Sequence, residues 1–220
     1  MTSPRGVLFD IDGTLVDTGY HHTIAWWQAF RDAGIEVPMR EIHRAIGMGA
    51  DQLLPYLIGR DDPDIRIGHD HHYAPFLERV QSFEGAAALL RACKERGLLV
   101  VLATSSDESQ LGRLRRGIGA DDAIDHVTTA GDVERSKPAP DLAQTALDQA
   151  SLQAVDAVMV GDTRWDVESA AQAGLPCVTV MTGGWSESEL RAAGAAEVWA
   201  SPAELLAHLD DSAIGRLAQL

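Results

Sequence analysis

A chain of 220 residues, 45% of them hydrophobic, is long enough for one sizeable domain, or for a domain with an insertion, and it can bury a true core. Its formal net charge of −15 argues against nucleic acid or an anionic membrane as a partner, because either would repel it. Since no run of about 18 apolar residues and no signal-peptide pattern occurs, we expect a cytoplasmic protein without a transmembrane helix, either a monomer or a small homo-oligomer.

The first predicted strand covers residues 7–9 and ends where two acidic residues begin. A short apolar run rich in strand formers is typical of a strand buried within a sheet. Asp10 and Asp12 follow directly, and Gly13 lets the chain turn away. Because ligands of open α/β sheets bind outside the carboxyl ends of the strands, both carboxylates could serve one site. The simpler interpretation is an ordinary turn that caps the next helix.

The segment after this turn has a helical pattern. Apolar residues recur every three positions at Ile24, Trp27 and Phe30, and further helical stretches follow, one of them over about 40–58. No strand-like run occurs before the next α/β unit. We therefore expect residues 17–83 to form an all-helical cap domain inserted between the first strand and the rest of the chain.

Helical and strand-like segments alternate from residue 84 onward. The strand candidates are 98–103, 126–128, 157–160, 177–181 and 197–199. Such alternation predicts a parallel sheet with helices on both faces. We expect an α/β protein with a Rossmann-like, doubly wound core that comprises residues 1–16 and 84–220.

Chemically active side chains follow several of these strands. Thr104 and Ser105 come after the second strand, where hydroxyls and free amides can bind an anion or simply cap the next helix. Lys137, one of only two lysines, precedes a proline turn that can fix its position. Asp162 and Asp166 follow a strand and a glycine and are near enough to act on one cation. All of these strands are expected to end at the same edge of the sheet.

In chain order, these segments resemble the four motifs of the haloacid dehalogenase-like superfamily of phosphohydrolases. The motifs here are DIDGTLVD at 10–17, a hydroxyl after the second strand, KPAPD at 137–141 and GDTRWD at 161–166. KPAPD, together with AAQAG at 170–174, is similar to the phosphoglycolate phosphatase and beta-phosphoglucomutase branch, whose helical cap lies between the first two motifs. The resemblance implies a phosphoric monoester hydrolase whose partner is a small phosphorylated metabolite.

The resemblance also implies catalytic roles. Asp10 would attack phosphorus and form an aspartyl phosphate, while Asp12 would protonate the leaving group and then deprotonate the hydrolytic water. Asp12 would have to begin protonated, which a cluster of neighbouring carboxylates favours by repulsion. Thr104 and Lys137 would hold the remaining phosphate oxygens.

A magnesium ion and a set of substrate contacts follow from the same resemblance. The expected ligands of Mg²⁺ are Asp10, Asp12 through its backbone carbonyl, Asp162 and Asp166. The expected substrate-binding residues are Thr14, Ser105, His22 and Arg44. No matching acid or cysteine accompanies His69, His71 and His72, so we expect these histidines on a solvated helix face rather than at a metal.

Other functions stay open at this point. A beta-phosphoglucomutase-like sugar-phosphate mutase is the nearest alternative, but Ala50 stands about where that family places a phosphate-binding arginine, and residues 17–83 contain no lysine. Hydrolysis is therefore favoured over isomerisation. A non-catalytic phosphate-binding module on the same fold is disfavoured because all motif residues are present. Phosphoglycolate and sugar phosphates are comparably plausible substrates.

Overall fold

The structure, a computed structural model, describes residues 3–219 and contains a six-stranded parallel sheet. The strands are β1 (Gly6–Phe9), β2 (Leu99–Ala103), β3 (His126–Thr128), β4 (Ala157–Gly161), β5 (Cys177–Val180) and β6 (Glu197–Trp199). Their spatial order is β3-β2-β1-β4-β5-β6. The chain moves outward from β1 to β3 and then returns to the other side of β1, so the order reverses between β1 and β4. Ligands of doubly wound sheets bind at the carboxyl side of such a reversal.

Helices cover both faces of this sheet. Val7 and Phe9 belong to one buried cluster and Leu8 to another, because successive side chains of a strand point to opposite faces. The core helices are α5 (Ala86–Glu95), α6 (Glu108–Ile118), α7 (Asp141–Gln149), α8 (Arg164–Gln172), α9 (Glu187–Ala193), α10 (Pro202–Ala207) and α11 (Ala213–Gln219). The predicted α/β class with a doubly wound parallel sheet is confirmed.

Five helices lie between β1 and β2 in the chain, and the four that precede α5 form a separate group. These four are α1 (Gly19–Asp32), α2 (Met39–Ala45), α3 (Ala50–Ile58) and α4 (Pro63–Leu77). They share a buried apolar cluster that includes Phe30, Ile42 and Leu54. The chain segments that enter and leave this group run side by side, since Asp17 N donates to the Gln81 carbonyl at 2.9 Å. We propose that these helices act as a cap domain with the predicted bounds, residues 17–83.

The predicted helical stretch over about 40–58 is wrong in one respect, because it is broken into α2 and α3. The break at 46–49 contains Gly47, whose φ of +102° is a backbone conformation that favours glycine. A Cβ on Gly47 would lie 2.7 Å from Thr163 Oγ1. The break therefore brings cap backbone against the core, directly beside the carboxyl end of β4. None of the described helices is both long and apolar enough to cross a membrane.

Candidate active site

Three buried carboxylates meet where β1 and β4 end. Asp10 follows β1, and its N–H donates to the Val160 carbonyl of β4 at 2.9 Å. Asp162 follows β4, and Asp166 lies in the first turn of α8. One oxygen from each of Asp10, Asp162 and Asp166 lies within 4.8 Å of the others. The sequence therefore predicted correctly that these acids come together, although they are up to 156 positions apart in the chain.

Local backbone geometry fixes the two acids after β4. The Asp166 carboxylate accepts from Thr163 Oγ1 at 2.6 Å and from Thr163 N at 3.0 Å, which closes the N-terminal cap of α8. A Cβ on Gly161 would lie 2.4 Å from the Asp166 Cβ, so only glycine permits this close approach. The pair is thus held by the strand-to-helix turn itself.

Lys137 supplies positive charge to this cluster. Its ammonium is fully buried, pairs with the Asp10 carboxylate and lies 2.7 Å from Asp166 Oδ1. Burial alone would lower the pKa of Lys137, but the charges of Asp10 and Asp166 outweigh it and raise the pKa. Lys137 is therefore a permanent cation at the site.

One lysine does not balance three buried carboxylates. Burial raises the pKa of Asp10 to about 7 even though the Lys137 charge opposes this. Burial and the charge of Asp166 raise the pKa of Asp162. Both shifts arise first from burial and then from the neighbouring carboxylates, whose charge Lys137 does not fully offset. Carboxylate oxygens are the ligands that Mg²⁺ prefers, so these residues fit a divalent cation.

Asp12 lies in a different environment, surrounded by hydrogen-bond donors. Its carboxylate accepts from Ser106 Oγ and Thr18 Oγ1, each at 2.6 Å, and lies 3.2 Å from His22 Nε2. Thr104 Oγ1 is at the limit of hydrogen bonding, 3.5 Å away. Burial raises the pKa of Asp12, but His22 and these hydroxyls outweigh it and lower the pKa to about 2. The expectation that neighbouring carboxylates keep Asp12 protonated is wrong for this arrangement.

His22 begins a chain of hydrogen bonds through the cap. Its Nδ1 lies 3.1 Å from His69 Nε2, and His69 Nδ1 lies 3.1 Å from Asp70 Oδ1. His22 also stacks on Tyr73, with ring centroids 3.9 Å apart. The prediction of a solvated position is wrong for His69, which is buried against Trp26; this burial lowers the pKa of His69 to about 4.

Of the predicted hydroxyl residues, two are buried and hydrogen-bond to neighbouring protein groups, and one lines the cavity. Thr14 is buried, and its Oγ1 donates to Asp162 Oδ1 at 2.6 Å, so it orients an acid rather than reaching a ligand. Thr104 is also buried, and its Oγ1 accepts from Ser106 N at 3.0 Å. Ser105 lines the cavity, and its Oγ has no hydrogen-bond partner among residues 3–219.

A cavity of about 350 Å³ opens onto Asp10 and Asp12. Its volume lies at the lower end of the range for small-molecule sites. The cap contributes His22, Trp26 and the break between α2 and α3, and the core contributes the loop after β2. The site can therefore enclose a small molecule between cap and core.

Arg44 is not brought to this cavity. Its guanidinium pairs with Glu189 of α9 and lies 4.1 Å from the centroid of the Trp185 ring, while its carbonyl accepts from Trp165 Nε1 at 2.9 Å. Arg44 borders a separate surface pocket together with His43 and Tyr56. The prediction that Arg44 binds substrate conflicts with this position, because these contacts hold the residue at the outer seam between cap and core.

Sequence reasoning missed the groups that surround Asp12. Ser106 directly follows the predicted Ser105 and donates to Asp12, whereas the Ser105 hydroxyl has no hydrogen-bond partner among residues 3–219. Thr18 and Gln110 carried no motif signal. Gln110 lies in α6 and lines the cavity, which only the three-dimensional arrangement reveals.

Comparison with known proteins assigns this site to a family. The family model described as haloacid dehalogenase-like hydrolase matches residues 4–174. The chain belongs to that family, and the membership predicted from the motifs is confirmed.

Individual relatives agree with the predicted branch. The chain is 33% identical over 211 residues to a phosphoglycolate phosphatase of Rhodospirillum rubrum, covering 89% of this chain and 87% of the relative. A hydrolase from Pseudomonas syringae superposes with a TM-score of 0.88 at 29% identity, covering 94% and 98% of the two chains. A candidate beta-phosphoglucomutase from Bacteroides vulgatus gives the same TM-score at 20% identity and covers 99% and 91%, which shows a shared fold.

Proposed function

We propose that this phosphoric monoester hydrolase acts on small phosphate monoesters by transferring the phosphoryl group to Asp10 and then to water. The observation that carries the proposal is the position of Asp10. It lines the cavity at the reversal point of the sheet, and its carboxylate pairs with a buried lysine that can also neutralise phosphate oxygens. The relatives named as phosphoglycolate phosphatases support the same class of reaction.

In the first step, an Asp10 carboxylate oxygen forms a bond to phosphorus as the bond from phosphorus to the ester oxygen breaks. The departing oxygen needs a proton, for which Asp12 is the donor. Asp12 is ionised in the free site, so it must receive that proton first. His22 Nε2 lies 3.2 Å from Asp12 Oδ1, so a proton can pass to the carboxylate along this contact.

In the second step, water attacks phosphorus and releases Asp10. Asp12 accepts a proton from this water, which its ionised form can do directly. The hydroxyls of Ser106 and Thr18 hold the Asp12 carboxylate in place between the two steps. One side chain therefore serves both half-reactions, and its hydrogen-bond partners set its orientation.

Magnesium fits the acidic cluster described above. Asp10, Asp162 and Asp166 would hold the ion, with the Asp12 carbonyl that the family resemblance adds to the set. Bound there, the ion would offset the negative charge of the phosphoryl group. Lys137 and Thr14 position the carboxylates of this set.

Phosphate release is the direct test of the function. The assay measures phosphate released from 4-nitrophenyl phosphate, phosphoglycolate and hexose phosphates, with Mg²⁺ and with EDTA. We expect turnover in Mg²⁺ and little turnover in EDTA. Asp10→Asn should abolish turnover with an unchanged circular dichroism spectrum, because the change is nearly isosteric. Asp64→Asn, an exposed position on α4, is the matched control and should stay active. Wild-type turnover by Asp10→Asn would contradict the proposal.

Isomerisation is less compatible with the cavity. Ala50, where the mutase branch is expected to place a phosphate-binding arginine, lines the cavity with an apolar side chain. The assay distinguishes the two reactions, since interconversion of beta-glucose 1-phosphate without release of phosphate would identify a mutase.

A further inference from the structure

The cavity wall away from Asp10 is rich in hydrogen-bond acceptors and negative charge. Beyond the reacting end, four acidic residues line it: Asp51, Asp70, Asp107 and Glu134. Among the described residues, Arg66 is the only arginine or lysine that lines this cavity. A substrate's organic part would thus meet more negative than positive charge once its phosphate is seated.

Arg66 offsets only part of this excess. Its Nε and Nη2 atoms lie 2.8 and 2.7 Å from Asp61 Oδ1, so an acidic partner already engages the guanidinium. His69 is held neutral at pH 7 by its burial, which lowers its pKa to about 4. The wall therefore lacks an unengaged cation suited to a carboxylate or a second phosphate on the substrate.

Gln110 gives an independent indication of what the wall binds. Its side chain is only 7% exposed, and Oε1 has no hydrogen-bond donor among the described residues. The orientation of the amide follows from chemistry, because Gln110 Nε2 lies 3.4 Å from Asp70 Oδ1 and a carboxylate can only accept. A buried acceptor without a donor is costly, and a donor from a ligand would satisfy it.

Asp70 and Asp107 add to this acceptor surface. Both side chains line this part of the cavity, and burial, together with the charge of Asp70, raises the pKa of Asp107 against the opposing charge of Arg66. A hydroxyl or ammonium group of a bound substrate would find a hydrogen-bond acceptor on either side chain. A second anionic group there would be repelled by both.

We infer that the substrate is a phosphate monoester whose organic part carries hydroxyl or ammonium donors and no second anionic group, as in a phosphorylated polyol or amino sugar. This inference rests on the proposed phosphatase function and narrows its substrate. It separates this chain from the relatives whose names specify phosphoglycolate, which bears a carboxylate.

The test compares kcat/KM for glucosamine 6-phosphate, glucose 6-phosphate, phosphoglycolate and 4-nitrophenyl phosphate. We expect both sugar phosphates to exceed phosphoglycolate by about tenfold or more, with the amino sugar at least equal to glucose 6-phosphate. Asp107→Asn should reduce the preference for the amino sugar over phosphoglycolate by about threefold or more. Asp64→Asn removes the same charge from an exposed position outside the cavity wall and should leave this preference unchanged.

The outcomes separate this inference from the function on which it rests. Equal or better hydrolysis of phosphoglycolate overturns the inference and leaves the phosphatase intact. The same holds if 4-nitrophenyl phosphate is hydrolysed but neither sugar phosphate is, or if Asp107→Asn behaves like Asp64→Asn. Absence of phosphate release from all four compounds contradicts the proposed function, and the inference with it.

Discussion

Replacing Lys137 by methionine tests the electrostatic account of the site. Lys137→Met keeps most of the side-chain length but removes the ammonium that pairs with Asp10 and lies 2.7 Å from Asp166. Without it, three buried carboxylates face one another with no cation. Removing one partner of a buried pair typically costs about 3–5 kcal/mol, because the remaining charge is desolvated and unpaired.

The loss should be visible in the free energy of unfolding, measured by urea or heat in EDTA. For a chain of this length, 3–5 kcal/mol corresponds to a fall in Tm of about 6–20 °C. Added Mg²⁺ should recover part of the loss, because a cation among the same carboxylates replaces the missing charge.

The other lysine of the chain provides a matched control. Lys94 pairs with Asp125 at the surface, with 43% of its side chain exposed. Lys94→Met should therefore cost only about 0–1 kcal/mol, with no dependence on Mg²⁺. The reasoning is refuted if Lys137→Met is no less stable in EDTA than Lys94→Met, since the buried lysine would then not be balancing the acids.

Three further predictions concern the donors to Asp12, a buried histidine and the break in the cap. Ser106→Ala removes a 2.6 Å hydrogen bond to Asp12 and should lower kcat by about tenfold or more in a phosphate-release assay; an unchanged kcat would contradict this. Burial keeps His69 neutral in the folded protein down to about pH 4, whereas the unfolded chain takes up the proton below its ordinary pKa of 6.5. Stability should therefore fall as the pH decreases from 6.5 to about 4, by on the order of 3 kcal/mol from this residue. Urea titrations at several pH values should show that the free energy of unfolding falls less steeply with decreasing pH in His69→Phe. An equal dependence on pH in the two proteins would contradict this role of His69. Gly47→Ala should lower the free energy of unfolding by about 1 kcal/mol or more. This loss should be larger than the loss in Gly34→Ala, because Gly34 also has a positive φ but has open space around it.

Much of the core could be predicted because its signals are local. Each buried strand is a short apolar run, and the regular alternation with helices leaves few topologies for a parallel sheet. Strand ends of such a sheet share one edge, so Asp10 and Asp162 could be placed together from their positions alone. The weak strand at 126–128 was predicted on the same basis and is present.

The cap was harder to predict because its functional positions depend on packing between segments. His69 reads as one of several histidines on a polar helix, and its burial follows from Trp26 and Tyr73 on neighbouring turns and helices. Nothing in the sequence around Arg44 indicates that it contacts Glu189, which is 145 positions away in the chain. Charge and hydrogen bonding around Asp12 likewise arise from two segments far apart in the chain, residues 18–22 and 104–106.

The central claim is that Asp10 carries the phosphoryl group between substrate and water. The most direct measurement combines rapid quenching with peptide mass analysis of Asp12→Ala reacting with 4-nitrophenyl phosphate. The nitrophenolate leaving group needs no proton donor, whereas release of the phosphoryl group from Asp10 needs a base, so the second step alone should be slowed.

We predict a burst of nitrophenolate close to one equivalent per protein and a phosphoryl group on the peptide that contains Asp10. A phosphoryl group on another residue, or a burst that survives Asp10→Asn in the same background, would contradict the account.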